Sequence, residues 1–230
     1  MGQDVGSAID AVLTETRWRD NPYFTALHER RFARADFVET QIQFYSAVTF
    51  FSRPMAALCG KIPSPEQRVA ILRNVWEEHG EGDTRMAHGA TFRLLLQRLA
   101  NIGADDIERR TLWPEVRIFN TTLAGVCVLD EYVVACAAMG MIERMFAEIS
   151  GVIGREIVAN GWLTRQELVH YDFHERVDVR HAEDFFAVIA PEWPAQAYEI
   201  EQGLRLGATV FDGLYRGLWD ARARRLLRPT

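Results

Sequence analysis

The chain has little of what staples or interrupts secondary structure. It holds three cysteines in 230 residues, an odd number, and none in a Cys-x-x-Cys spacing. Cys59, Cys127 and Cys136 each sit in an apolar stretch. That argues against a disulfide framework and reads as small core residues of a reduced, cytoplasmic protein. The eight prolines and sixteen glycines fall between periodic segments. No alternating apolar–polar pattern of useful length supports a sheet, and there is no repeat and no low-complexity linker. Charge interrupts every apolar stretch too often for a bilayer span, so no membrane partner is expected. Met1-Gly-Gln-Asp has neither a basic region nor an apolar run, so no signal peptide is expected. Acidic and basic residues are interspersed at a net charge of −6, which leaves no nucleic-acid face. The basic run Arg222, Arg224, Arg225, Arg228 reads as a solvated helix end favoured by the helix dipole.

Helical periodicity is what remains. With 48% hydrophobic residues, one sizeable core is expected, in a single domain over residues 1–230. Helices are expected over Val5–Arg17, from Asn21-Pro22, and from an Asp36 cap to Leu58, with Phe44, Phe50, Phe51 and Met55 as the apolar side of the last. Ser64 caps Pro65–His79, with Pro65 at the first helical position. Gly80-Glu-Gly-Asp breaks the chain, and Thr84–Asn101 resumes it. Leu112–Asn160 is one long helix or a kinked pair. Thr164-Arg-Gln-Glu167 is a capping box that opens a helix to about Ala190, and Pro194 begins the last. The fold class is all-α, an antiparallel bundle of seven or eight helices.

The most informative stretch is His174-Glu-Arg-Val-Asp178-Val-Arg-His181. At about 100° per residue, Asp178 lies about 40° to one side of His174 and His181 about 20° to the other. All three point one way. Imidazole with carboxylate is a ligand mix of iron, manganese or zinc rather than calcium. Bundle sites draw further ligands from facing helices. Glu143 lies in the apolar run Ala137-Ala-Met-Gly-Met-Ile-Glu143, where a carboxylate must be paired, protonated or metal-bound. His88 follows the acidic cluster Glu77, Glu78, Glu81. The glycine break between them spoils the helical calculation, so spacing does not choose among the three acids.

Glu78…His88, then Glu143, then His174-x-x-x-Asp178-x-x-His181, resembles the ligand set of the haem-oxygenase-like diiron oxidases. These share the fold of thiaminase-type and pyrroloquinoline-quinone-synthase proteins. The resemblance covers about residues 35–190 and implies a haem-oxygenase-like bundle. It implies metal ligands Glu78, His88, Glu143, His174, Asp178 and His181, with Glu81 in reserve. Glu78 is preferred because the N-oxygenating members have a similar separation. One departure stands out. Several of those members carry an additional ligating Glu on the upstream helix. Here that helix offers Glu39, poorly spaced for the role, besides Gln41, Gln43, Tyr45 and Ser52.

The resemblance implies an O₂-dependent non-haem diiron enzyme holding two Fe²⁺, with O₂ as co-substrate and no catalytic residue beyond the ligands. N-oxygenation of a small amine or amino acid is the expected reaction. Oxidative C–C cleavage of an amino or fatty acid is the alternative, as is a metal-free thiaminase-like or quinone-synthase-like enzyme. A fatty acid would want an apolar tunnel, for which Phe44, Phe50, Phe51, Phe92 and Phe146 are available. An amine or amino acid would want a buried charged partner, for which Arg53 and Arg117 are available. His170, on the same helical face as the motif, is read as an outer hydrogen-bond partner or plain core. A homodimer and an external electron donor are expected partners. A ferritin-like site wants two Glu-x-x-His pairs, and only Glu167-x-x-His170 has that spacing.

Overall fold

Side chains that accept from exposed backbone amides set the first helix starts. In the computed structural model, which describes residues 4–228 apart from the side chains of Phe173 and Arg176, Asp4 caps α1 (Val5–Thr16) through a 2.8 Å bond from the Ser7 amide. Met1, Gly2 and Gln3, on which the signal-peptide expectation rests, lie outside the described residues. Asn21 caps α2 (Pro22–His28), accepting from the Tyr23 amide at 3.0 Å. α3 (Arg34–Cys59) begins two residues before the expected Asp36 cap. Asp36 sits in its first turn and accepts from Arg225 at 2.6 Å instead. Pro54 lies inside α3, contrary to the expectation that prolines separate helices. Ser64 opens α4 (Pro65–Glu78) as expected, 3.3 Å from the Gln67 amide.

Gly80, Glu81 and Gly82 then take positive φ values of 75°, 53° and 96°, and the turns run on to Ala87. α5 (His88–Ala100) therefore starts four residues later than Thr84. α6 (Ala104–Glu108) was not legible in the periodicity and is held by Asp106, which accepts from the Gly103 amide at 3.0 Å. The long segment is a pair, α7 (Pro114–Leu129) and α8 (Tyr132–Ala159), separated by extended backbone at Asp130 and Glu131. The Thr164–Glu167 box closes a single 3₁₀ turn, and α9 (Val169–Ile189) starts just beyond it. α10 (Trp193–Ala221) completes the chain. The described residues thus form ten α-helices, of which α2 and α6, at 7 and 5 residues, are minor. They contain no strand, only an isolated bridge between Arg110 and Leu227. No described helix is long and apolar enough to cross a membrane.

α8 is the axis of the bundle, buried almost continuously from Val133 to Ile157. Its small residues let neighbours approach. Gly140 lies against Phe185 and Phe186, Gly151 against Glu175, and Gly154 against Tyr171, so α9 runs antiparallel to it. α10 runs the other way: Gly203 meets Val134 and Gly207 meets Ala138, backbone against backbone. The basic C-terminal run is solvated, as expected, but three of its arginines are also partnered. Arg224 pairs with Glu115 at 3.0 Å, Arg225 with Asp36, and Arg222 lies 3.6 Å over the Trp219 ring.

Candidate metal centre

The buried stripe of α9 faces α8, α4 and α5. His174 Nδ1 lies 2.9 Å from Asp178 Oδ2, and His181 Nδ1 lies 3.5 Å from Asp178 Oδ1, so the carboxylate sits between the two rings. Glu143 comes from mid-α8, with Oε1 3.9 Å from His181 Nδ1. Glu143, Asp178 and His181 each offer a ligand atom within 4.8 Å of the others. A second trio adjoins the first. Glu78 ends α4 and places Oε1 2.8 Å from Nδ1 of His88, the first residue of α5. The His88 ring meets the His174 ring edge-on, centroids 4.4 Å apart. All six preferred residues therefore converge, and none is more than 8% exposed.

The charges show what such crowding does. Burial, with Asp178 and Glu78 nearby, pushes the Glu143 carboxyl well above its ordinary range. Burial also raises Asp178, but His174 and His181 outweigh it and hold that carboxyl low. Burial lowers His88, yet Glu78 and Asp178 leave it raised. Burial, then His174 and His88, drive His170 well below the ordinary imidazole range, so it stays neutral. Its Nδ1 is 3.0 Å from Thr91 Oγ1.

Two residues support the cluster: Glu77, read from sequence only as one of three candidate acids before His88, and Asn74, which was not singled out. Glu77 Oε2 lies 2.7 Å from His181 Nε2 and also pairs with Arg180. That leaves His181 Nδ1, buried and without a hydrogen-bond partner among the described residues, turned toward Glu143 and Asp178. A carboxylate that fixes the outer nitrogen while the inner one faces the ligands is a common support for metal-bound histidine. Asn74 donates to Glu143 Oε1 at 3.1 Å. The only signal in the sequence was that Glu77 and Glu78 are adjacent, hence about 100° apart on a helix and able to serve different histidines.

Other sequence candidates fall elsewhere. Glu81 is exposed in the left-handed turn, so the reserve carboxylate is away from the cluster. Glu39 is buried against Arg110 at 3.1 Å. Gln41 bonds Tyr23 and Tyr171, Gln43 bonds the Trp113 amide, and Tyr45 bonds Arg93. The α3 face over the cluster is instead Phe44, Ala47, Val48 and Phe51. No further carboxylate comes from that helix.

Those four residues line a small cavity that reaches Glu78, Glu143 and His174. Phe119, Ile142, Phe146 and Phe211 complete its wall. Phe92 lies behind it, 4.7 Å from the His170 ring, and Phe50 lies under Arg53. Phe119 and Phe211 were not anticipated, because on amphipathic helices they look like any core aromatic. Arg53 and Arg117 are both exposed and line no part of it. Apart from the cluster itself, the cavity lining carries no charged side chain.

Residues 38–212 match the family described as iron-containing redox enzymes. The chain belongs to that family. The matched span takes in all six clustered residues. No curated protein matches the chain. Among solved structures, a CADD-like protein of unknown function from Nostoc punctiforme is similar at 12% identity and a TM-score of 0.78, with 94% of this chain and 95% of that one covered. A TenA homologue from Pseudomonas syringae shows 15% identity and a TM-score of 0.73 over 92% and 91%. A domain of unknown function with a heme oxygenase-like fold, from Shewanella denitrificans, shows 15% identity and a TM-score of 0.71 over 94% and 89%. At these identities the likeness is one of fold, and the expected haem-oxygenase-like bundle is the observed one.

Proposed function

We infer that this iron-containing redox enzyme is a non-haem diiron, O₂-dependent oxidase or oxygenase of a small, largely apolar substrate. One observation carries the reading: three carboxylates and three imidazoles converge inside the bundle, nearly or wholly shielded from water. Buried carboxylates crowded together are unfavourable unless a cation joins them. The donor set suits such a cation, since mixed imidazole and carboxylate favours iron or manganese. Glu78, His88 and His174 would hold one ion, Glu143, Asp178 and His181 the other. A ferrous pair there would supply the electrons that reduce O₂ and the oxidising power directed at the substrate.

The remaining work falls to the chain. Glu77 orients His181, and Asn74 orients Glu143. The aromatic wall excludes water from the reacting atom and keeps bulk protons away. That wall contains no charged group to receive an amino acid's ammonium or carboxylate. The substrate we favour is therefore apolar where it meets the cluster, with a carbon or the nitrogen of a neutral amine as the oxidised atom. Anaerobic Fe²⁺ loading is expected to give up to two irons per chain, followed by an absorbance change and O₂ uptake on mixing with air. A chain that takes up no iron would overturn the reading.

The thiaminase-like alternative needs a reactive thiol. Burial pushes Cys127 up to about 12 and raises Cys136 further, and Cys59 is raised by burial as well. A thiol with so little thiolate is inert. Iodoacetamide at pH 8 is expected to leave all three cysteines unlabelled in the folded protein and to label all three in guanidinium. Rapid alkylation of one native thiol would revive the nucleophile.

A further inference from the structure

His170 is fully buried on α9, one turn before His174. Around that helix it lies about 40° from His174 and about 20° from His181, at roughly 100° per residue. Its ring centroid is 4.3 Å from that of His174, 4.7 Å from Phe92 and 6.4 Å from Phe146. Its two nitrogens have different surroundings. Nδ1 lies 3.0 Å from Thr91 Oγ1, and that hydroxyl donates to the His88 carbonyl at 2.9 Å. A carbonyl only accepts, so the single Thr91 hydrogen is committed there and His170 Nδ1 is the donor to Thr91. A neutral imidazole with its hydrogen on Nδ1 carries a bare lone pair on Nε2. That Nε2 is buried and has no hydrogen-bond partner among the described residues.

His181 shows the same division. Its outer Nε2 is held by Glu77, and its Nδ1 is buried without a hydrogen-bond partner among the described residues. One nitrogen fixed by an oxygen and the other left bare is the usual state of a metal-bound histidine. A buried acceptor with no partner otherwise costs about 1–3 kcal/mol. We propose that His170 Nε2 is a seventh protein ligand, joining Glu78, His88 and His174 on their ion. The assignment rests on the metal-centre reading above and extends it. One ion then has three imidazoles and one carboxylate, the other one imidazole and two carboxylates, so the two are inequivalent. Thr91 is a positioning residue: its hydroxyl fixes the ring and ties it to the first turn of α5, where His88 sits.

Zinc serves as a diamagnetic probe that takes the same imidazole and carboxylate ligands. In the metal-free full chain with ¹⁵N-labelled histidine, two-bond proton–nitrogen spectra are expected to show His170 protonated on Nδ1 and bare on Nε2. Two equivalents of Zn²⁺ should shift the Nε2 resonance and leave the Nδ1 proton in place. His170→Phe suits a pocket walled by Phe92 and Phe146 but removes the lone pair. It should weaken one of the two zinc ions more than about a hundredfold, beyond the roughly 10–100-fold cost of a lost outer partner, and spare the other. Thr91→Val should weaken that same ion by roughly 10–100-fold. Circular dichroism confirms that each variant is folded. Three results would overturn the seventh ligand and leave the six-residue centre standing: a His170 resonance unmoved in a chain that holds two zinc ions, His170→Phe binding both ions as the wild type does, or a loss no larger than that of Thr91→Val. A wild-type chain that takes up neither zinc nor iron would sink both readings.

Discussion

Asp178→Asn should leave a folded bundle that no longer holds iron. Asp178 is fully buried between His174 and His181, within bonding distance of one and 3.5 Å from the other. Asparagine keeps its shape and removes its charge. Taking one member out of a buried charged cluster costs about 3–5 kcal/mol, roughly two to four powers of ten in affinity. Iron bound per chain after desalting should fall close to zero, and O₂ uptake with it, while the helical circular dichroism is retained. Glu81→Gln is the matched control. It removes a carboxylate from the same acidic segment but from an exposed turn, and its iron content should equal that of the wild type. If Asp178→Asn retains its iron, or Glu81→Gln loses it, the assignment of the six ligands is wrong.

The second large effect concerns the packing that aims those ligands. Gly207→Val should destabilise the protein by about 3 kcal/mol or more, at the upper end of overpacking penalties. A Cβ at Gly207 would come within 2.3 Å of the Ala138 carbonyl oxygen and 2.9 Å of its Cα, both backbone atoms of the central helix that cannot swing aside. For a chain of this size the midpoint of thermal unfolding should fall by roughly 6–12 °C. Gly125→Ala and Gly213→Ala are the contrast. Both glycines are helical and have nothing within 4 Å of the added Cβ. Each should stabilise by roughly 0.5–1 kcal/mol through helix preference alone. Differential scanning fluorimetry of the three variants checks the ordering. A Gly207→Val protein melting with the wild type would mean that α10 does not lie on α8 as described.

The half of the site carried by α9 was legible in the sequence because a single uninterrupted helix bears it, and helical angles then fix which side chains converge. Glu143 was legible for a different reason, as a carboxylate in a run with no other use for one. The acidic segment before His88 was not, because Gly80, Glu81 and Gly82 adopt left-handed backbone and destroy the periodicity that links helix position to direction. Only the tertiary arrangement shows that Glu78 faces His88, that Glu77 reaches His181, and that Glu81 faces solvent. The cavity was half legible. Phe44, Phe51 and Phe146 line it, but Phe119 and Phe211 come from helices whose apolar faces look the same whether they border a core or a hollow. The exposed Arg53 and Arg117 show the reverse error, since a charged side chain on an amphipathic helix carries no mark of which way the neighbouring helix will turn it.

The left-handed turn between α4 and α5 and the unbroken helix α9 should tolerate changes of chain length very differently. A residue added among 82–86 lengthens a surface bend, leaving both helices and the carboxylate–imidazole pair at their ends in register. One residue inserted between His174 and Asp178 swings everything after it by about 100°, which sends Asp178 and His181 out of the interior together. Insertions and deletions are thus free to accumulate on one side of this centre and barred from the other.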